Sequence, residues 1–177
     1  MDKIYESWLE RQCTDALALM ETSDVVTILP AAGPQAARRF IAQFANPTMV
    51  RTDDRIVRAD GFTVLIQFPP DYLRAAFDAA QVVNLLAPGN LFHPNVRPPF
   101  ICTGRLSPGT GICDLLYQLN EILTFARFTP REDDALNHEA CQWARQHMHL
   151  FPLEARPLRR CTPDWLIGEV ARAEVRA

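Results

Sequence analysis

The chain has 177 residues, of which 48% are hydrophobic, and a formal net charge of −3. This length and apolar fraction suit one well-packed domain, and the net charge argues against general binding to nucleic acid. No apolar run of about 18 residues is present, so no membrane span is expected. The first residues lack the pattern of a signal peptide, and the five scattered cysteines indicate reduced thiols. We therefore expect a cytoplasmic protein.

The N-terminal half predicts one helix and a small sheet. Residues 2–20 have the period of an amphipathic helix, whose apolar face consists of Ile4, Tyr5, Trp8, Leu9, Ala16, Leu17 and Met20. Runs rich in β-forming residues predict strands at 24–30, 39–44, 62–68 and 81–86, with a further short run at 49–51 or 55–57. The short polar connections between these runs indicate a four-stranded antiparallel meander.

The C-terminal half predicts a long loop followed by helices. Residues 91–104 contain three prolines and no helical period, so they form a shaped loop. Helices are predicted at 111–124, with Ser107 or Thr110 as its cap, at 135–149 and at 163–175. The inward positions of the first two are Ile112, Leu115, Leu116, Leu119, Ile122, Leu123, Leu136, Ala140, Trp143 and Ala144. This order of elements indicates an α+β fold with helices packed on a small sheet.

The long loop holds the candidate chemistry. His93, Asn95 and Cys102 lie close together in rigid backbone. A thiol beside an amide side chain is a plausible nucleophile with an oxyanion donor. Two alternatives remain open at this point: Cys102 can be a buried core cysteine, and Asn95 can hold the loop through backbone hydrogen bonds. Cys113 is a rival nucleophile, because the start of a helix can lower a thiol pKa.

The cysteines and histidines do not have the spacing of a metal site. His138, Cys141, His147 and His149 could be combined with Cys113 or Cys161 into a zinc ligand set, but the chain has no Cys-x-x-Cys pair. His147 and His149 are two positions apart, so they point away from each other on a helix. We expect no bound metal and no cofactor.

Several short motifs occur in a defined order. His93-Pro94-Asn95 is followed nine positions after the histidine by Cys102, and Phe68-Pro69-Pro70-Asp71-Tyr72 precedes both. Leu106-Ser107-Pro108-Gly109 and Asp133-Asp134-Ala135-Leu136 come later. Across residues 2–150 this order resembles the ubiquitin-conjugating enzyme family, although the family's usual Trp at Leu106 and its usual Pro at Ala135 are missing. The details look most like bacterial members encoded beside a ubiquitin-like protein, an activating enzyme and a deubiquitinase, in operons linked to defence against phage.

The resemblance implies a fold, a reaction and a set of partners. The fold would be the ubiquitin-conjugating fold, with a catalytic domain over residues 1–152 and a C-terminal extension over 153–177. Cys102 would take the C-terminal carboxyl of a ubiquitin-like protein from an activating enzyme as a thioester, and pass it to a lysine of a target protein. The charge and the lack of a long apolar run already argue against nucleic acid and a membrane as partners.

The resemblance also implies roles for the neighbouring residues. His93 and Pro94 would be structural, and Asn95 would donate to the oxyanion or hold the loop. Asp134 would orient the incoming lysine and help to remove its proton. From the residues alone, Asp134 can also be a helix N-cap or a first-turn acid beside Asp133, and both roles can hold at once. Two alternative functions remain: a catalytically inactive scaffold that binds a ubiquitin-like partner, and a zinc-supported interaction module.

Overall fold

The computed structural model describes residues 2–31, 36–129 and 131–160. An N-terminal helix precedes an antiparallel sheet, and further helices follow, so the predicted α+β class is confirmed. Within the described ranges no helix has the length and apolar character needed to cross a lipid bilayer. The helix predicted over residues 163–175 lies outside the described residues.

The helices and strands are short apart from the first helix and one long hairpin. The helices are α1 (Lys3–Glu21), α2 (Ala79–Val82), α3 (Ile112–Leu123) and α4 (His138–Gln146), with single 3₁₀ turns at Ala36–Arg38, Glu132–Asp134 and Met148–Leu150. The strands are β1 (Val26–Pro30), β2 (Arg39–Thr52), β3 (Arg55–Gln67), β4 (Phe77–Asp78), β5 (Val83–Ala87), β6 (Val96–Arg97), β7 (Phe100–Ile101) and β8 (Arg105–Leu106).

The main sheet differs from the predicted meander in its strand boundaries and in its size. Among the described residues it has six antiparallel strands in the order β1-β2-β3-β5-β7-β6. The separate runs predicted at 39–44 and 49–51 are one strand, and those at 55–57 and 62–68 are another. The two turn-forming residues at Asp53-Asp54 make a tight connection between β2 and β3. The last two strands come from the segment that the sequence predicted to be a loop.

The main core lies between one face of this sheet and helices α1 and α3. The alternating residues Phe62, Val64 and Ile66 of β3 are buried, as their period predicted. The six apolar residues of α3 named above are buried as well. On α1, however, Ile4 and Leu17 are exposed, and the polar Gln12 is buried with Tyr5, Leu9, Ala16 and Leu19. Leu136, which was predicted to be an inward position of the third helix, is also exposed. It precedes this helix, because α4 begins only at His138.

Two local features explain where the predicted elements bend or begin. At the register shift between β2 and β3, Gly61 has φ of +93°, and a Cβ there would lie 2.8 Å from the carbonyl oxygen of Phe44. Only glycine allows this close approach. At the start of α3 the cap is neither Ser107 nor Thr110. The Ile112 N–H instead donates to Oε1 of Gln12 at 2.8 Å, so a buried glutamine of α1 caps α3 from another element.

Residues 153–160 pack into the body of the protein. Leu158 is buried in the main core, and the Leu153 N–H donates to the carbonyl of Thr124 at 3.1 Å. The buried Asn46 donates to the Arg156 carbonyl and accepts from the Arg156 N–H, at 2.8 and 2.9 Å. The division at residue 152 remains a prediction, and the described part of the proposed extension is held by core contacts.

Candidate active site

The segment containing Cys102 is a tight hairpin. Val96 pairs with Ile101 and Arg97 pairs with Phe100, so Pro98 and Pro99 form the turn between β6 and β7. Outward from these pairs, the next opposed residues are Asn95 and Cys102. The Cys102 N–H donates to the Asn95 carbonyl at 2.8 Å. The pairing therefore explains how an asparagine seven positions away in sequence comes to lie beside the backbone of Cys102.

The side chain of Asn95 uses all of its polar atoms in this arrangement. Its Nδ2 donates to the Cys102 carbonyl at 3.1 Å and to Oγ1 of Thr129 at 2.8 Å. Its Oδ1 accepts from the Thr129 N–H at 2.8 Å. Because an amide nitrogen has two hydrogens, Asn95 in this state has no free donor. This geometry supports the loop-holding role, and an oxyanion contact would require one of these two bonds to open.

His93 is completely buried under the same segment. Its Nδ1 accepts from the Asn95 N–H at 3.0 Å, so the ring proton is on Nε2. Burial lowers the pKa of His93 to about 3, and the nearby Ile122 carbonyl opposes this shift. No acceptor in the described ranges completes a hydrogen bond to Nε2. A buried neutral ring of this kind is suited to holding backbone, and Pro94 contributes in the same way, because its carbonyl accepts from the Asn137 N–H at 3.1 Å.

A second hydrophobic cluster lies beneath the site. We call it the site-side cluster; its buried members are Met49, Phe125, Ala144 and Leu153, and Ile56, Phe128, Trp143 and Phe151 pack against them. The ring of His93 lies 4.1 Å from that of Phe125, which stacks on Phe151 at 4.2 Å between centroids. Packing of this kind fixes the position of an imidazole ring. The chain on the C-terminal side of α3 therefore supports the histidine.

Asp134 lies in the 3₁₀ turn that leads toward α4, and its side chain is exposed. Asp134 is not the N-cap of α4, because Asn137 caps that helix by accepting from the Ala140 N–H at 3.0 Å. Asp134 is one of the three acids in the turn Glu132–Asp134. Glu132 of the same turn is engaged by Gln142 and Arg145 of α4. Asp134 has no side-chain partner among the described residues, so its carboxylate is available to an incoming group.

Cys102 opens onto a cleft, which we call the Cys102 cleft. Its volume is about 700 Å³, and its lining includes Asp78, Arg97, Phe100, Cys102, Arg105 and Leu136. The thiol residue is partly exposed. Leu136 follows Asp134 by two positions, but Asp134 itself is not among the residues that line the cleft. The cleft is large enough for several residues of an extended peptide.

The other cysteines have different surroundings. Burial raises the pKa of the Cys113 thiol, and the neighbouring Asp15 adds to this effect. Both effects oppose the lowering of the thiol pKa that the start of α3 would favour. Cys141 is buried and donates to the Thr129 carbonyl at 3.5 Å. Within the described ranges no three His, Cys, Asp or Glu side chains are grouped so as to hold a metal ion.

Sequence reasoning missed several residues of this site. Thr129 was not singled out, although it forms two of the three hydrogen bonds of the Asn95 side-chain amide. Arg97, Phe100 and Arg105 also went unnoticed. They lie on two-residue strands, which are too short to produce a periodic signal. The one available hint was that Arg97 and Arg105 flank Cys102 closely in the sequence.

Comparison with models of known protein families gives no match, and no curated protein matches the chain.

Proposed function

We propose that the chain is a ubiquitin-like-protein conjugating enzyme with the ubiquitin-conjugating fold, and that Cys102 carries the thioester. One observation carries the proposal: the backbone of Cys102 is held to Asn95 by two hydrogen bonds, and this partly exposed cysteine lines a peptide-sized cleft. The resemblance in motif order supports the same assignment. A role in bacterial antiviral defence belongs to this proposal and rests on the resemblance alone.

The proposed reaction has two acyl transfers. In the first, the Cys102 sulfur attacks the activated C-terminal carbonyl of the ubiquitin-like protein, and the activating enzyme's thiol leaves. In the second, a lysine amine of the target attacks the thioester carbonyl, so that a C–N bond forms and the C–S bond breaks. Sulfur suits both steps, because a thiolate is both a strong nucleophile and a good leaving group.

The neighbouring side chains have distinct proposed roles. Asn95 holds the Cys102 backbone, and His93 and Pro94 hold the backbone of Asn95 and its surroundings. Asp134 accepts the proton that the lysine amine loses during attack, since its carboxylate is exposed and unpaired within the described residues. The tetrahedral oxyanion can receive a hydrogen bond from Nδ2 of Asn95 once the bond to Thr129 opens.

The test is formation of a thioester. The purified protein is incubated with ATP, a cognate activating enzyme and the ubiquitin-like protein, and the products are separated without reducing agent. We expect an adduct that disappears on treatment with a thiol and is absent from Cys102→Ala. Cys102→Lys should form an amide that resists thiols.

Cys113→Ala is the matched control, and it should be charged like the original protein. An adduct that persists in Cys102→Ala would refute the assignment. Binding of the ubiquitin-like protein without any adduct, under conditions that charge a known conjugating enzyme, would identify a catalytically inactive scaffold instead.

A further inference from the structure

The Cys102 cleft contains two arginines that have no ionic partner. Arg97 on β6 and Arg105 on β8 both line it, and both side chains are exposed. Neither forms an ion pair or a side-chain hydrogen bond within the described residues, whereas Arg11, Arg51, Arg58, Arg74, Arg145 and Arg160 each pair with an acid. In a chain of net charge −3, this is a local excess of positive charge beside the candidate nucleophile.

One acidic residue, Asp78, lines the cleft with them. It lies opposite Arg105 in the two-stranded ladder of β4 and β8, yet the two side chains are not within ion-pair distance. The cleft therefore has two guanidinium groups and one carboxylate, and its net charge is positive. A positive cleft attracts carboxylates and repels the ammonium form of a lysine. It also lowers the pKa of an amine held there, and so favours the free base that attacks a thioester.

The uncharged part of the lining fits a peptide. Phe100 is 46% exposed and Leu136 is 38% exposed, and both face the cleft that Cys102 opens onto. Exposed apolar side chains next to charged ones are typical of surfaces that bind a partner. Phe100 and Leu136 can cover the methylene stem of a lysine while the arginines contact acidic residues on either side of it.

We propose that the Cys102 cleft binds an acidic peptide segment of the target protein, and that Arg97 and Arg105 select lysines flanked by Asp or Glu. This inference rests on the proposed function, because it assigns a substrate class to the same site. It adds no covalent step: the arginines bind the flanking carboxylates, and the amine then attacks the thioester as described above.

The test uses the full chain already charged with the ubiquitin-like protein. Charged protein is mixed with a peptide that contains one lysine between glutamates, or with the same peptide carrying glutamines, and thioester loss and peptide product are followed. We expect the glutamate peptide to react roughly three- to tenfold faster, as two exposed charge pairs would give. This preference should fall as salt is raised toward 1 M.

The variants Arg97→Gln and Arg105→Gln should each reduce the preference, and the double variant should remove it. Arg55→Gln is the matched control, because Arg55 is also an exposed arginine but does not line the cleft. Equal rates for the two peptides with the original protein would overturn the inference, and so would a preference that survives in the double variant.

Two further outcomes separate this inference from the proposed function. If the thioester forms and is discharged to free lysine without any peptide preference, only the acidic-target inference fails. If no thioester forms at all, the proposed function is refuted, and the acidic-target inference is refuted as well because it rests on that function. A double variant that charges slowly but retains the peptide preference would assign the cleft to the ubiquitin-like protein, which overturns the assignment to the target.

Discussion

The main core and the site-side cluster are built by different means. The main core joins α1, α3 and the sheet, and its residues recur with helical or strand periods, as Leu116 and Val64 do. The site-side cluster joins Phe125, Phe128 and Phe151 of irregular segments to residues of β2, β3 and α4, and its Phe125 ring contacts His93 directly. The difference indicates that the first region sets the fold, while the second sets the position of the hairpin that presents Cys102.

The largest expected effect comes from truncating one residue in each region. Leu116→Ala and Phe125→Ala should each lower the free energy of unfolding by about 3–4 kcal/mol, because both remove buried apolar volume. Only Phe125→Ala should also increase hydrogen exchange at the Cys102 and Thr129 amides well above the increase elsewhere. Denaturant unfolding and amide exchange measure the two effects. Equal exchange changes in both variants would show that the two regions open as one unit.

Asn46 connects the main sheet to residues 153–160. Asn46→Ala should cost about 3 kcal/mol of unfolding free energy, because it leaves the N–H and C=O of Arg156 and the Oδ1 of Asn120 without their present partner. The Asn46→Asp variant retains only the acceptor and places a buried carboxylate against the oxygens of Asn120 and Arg156, so it should cost at least as much as Asn46→Ala. Denaturant titration measures both. A loss below about 1 kcal/mol for Asn46→Ala would mean that this segment contributes little to stability.

His93 should make the protein less stable in acid. Its pKa is about 3 in the folded protein, against 6.5 for an unperturbed ring. Between these values only the unfolded state binds the proton, so stability is full above pH 6.5 and falls by about 1.4 kcal/mol for each pH unit below it. The expected loss from this residue is about 2 kcal/mol at pH 5.

The measurement is the difference in denaturant unfolding between the original protein and His93→Gln from pH 7 to pH 4. The carboxyl groups are common to both proteins, so they largely cancel. NMR titration of the His93 ring in the original protein provides a second readout if the variant does not fold. A ring that titrates near pH 6.5 would contradict the expectation.

Substitution of Thr129 should produce the smallest loss of unfolding free energy among these variants. Thr129→Val removes the hydroxyl that accepts from Asn95 but retains the backbone N–H bond, so unfolding free energy should fall by about 1 kcal/mol. Thr129→Ser retains the hydroxyl and is the control. If Asn95 only holds the loop, the rate of thioester discharge should change less than threefold in Thr129→Val. A clear acceleration would mean that the freed N–H reaches the oxyanion.

Much of the fold follows from periodic patterns, whereas much of the site does not. The α3 stripe and the alternation in β3 are visible in the sequence, and both are buried as predicted. The β6–β7 hairpin was predicted as a loop, because its strands have only two residues each and its turn consists of two prolines. On α1, exposed Ile4 and buried Gln12 depart from the period, since Gln12 satisfies an N–H at the start of α3.

The sequence by itself determined the α+β class, the positions of α1 and α3 and the motif in which His93, Asn95 and Cys102 stand out. These features follow from the local periodicity of apolar residues and from the spacing of short motifs, and both are present within a single segment of the chain. Only the tertiary structure decided that Thr129 forms hydrogen bonds with the side-chain amide of Asn95 and that His93 is buried against Phe125. It also decided that Arg97 and Arg105 line the same cleft as Cys102. These relations join residues from separate segments, and they depend on burial and hydrogen-bond geometry that exist only after the segments pack together.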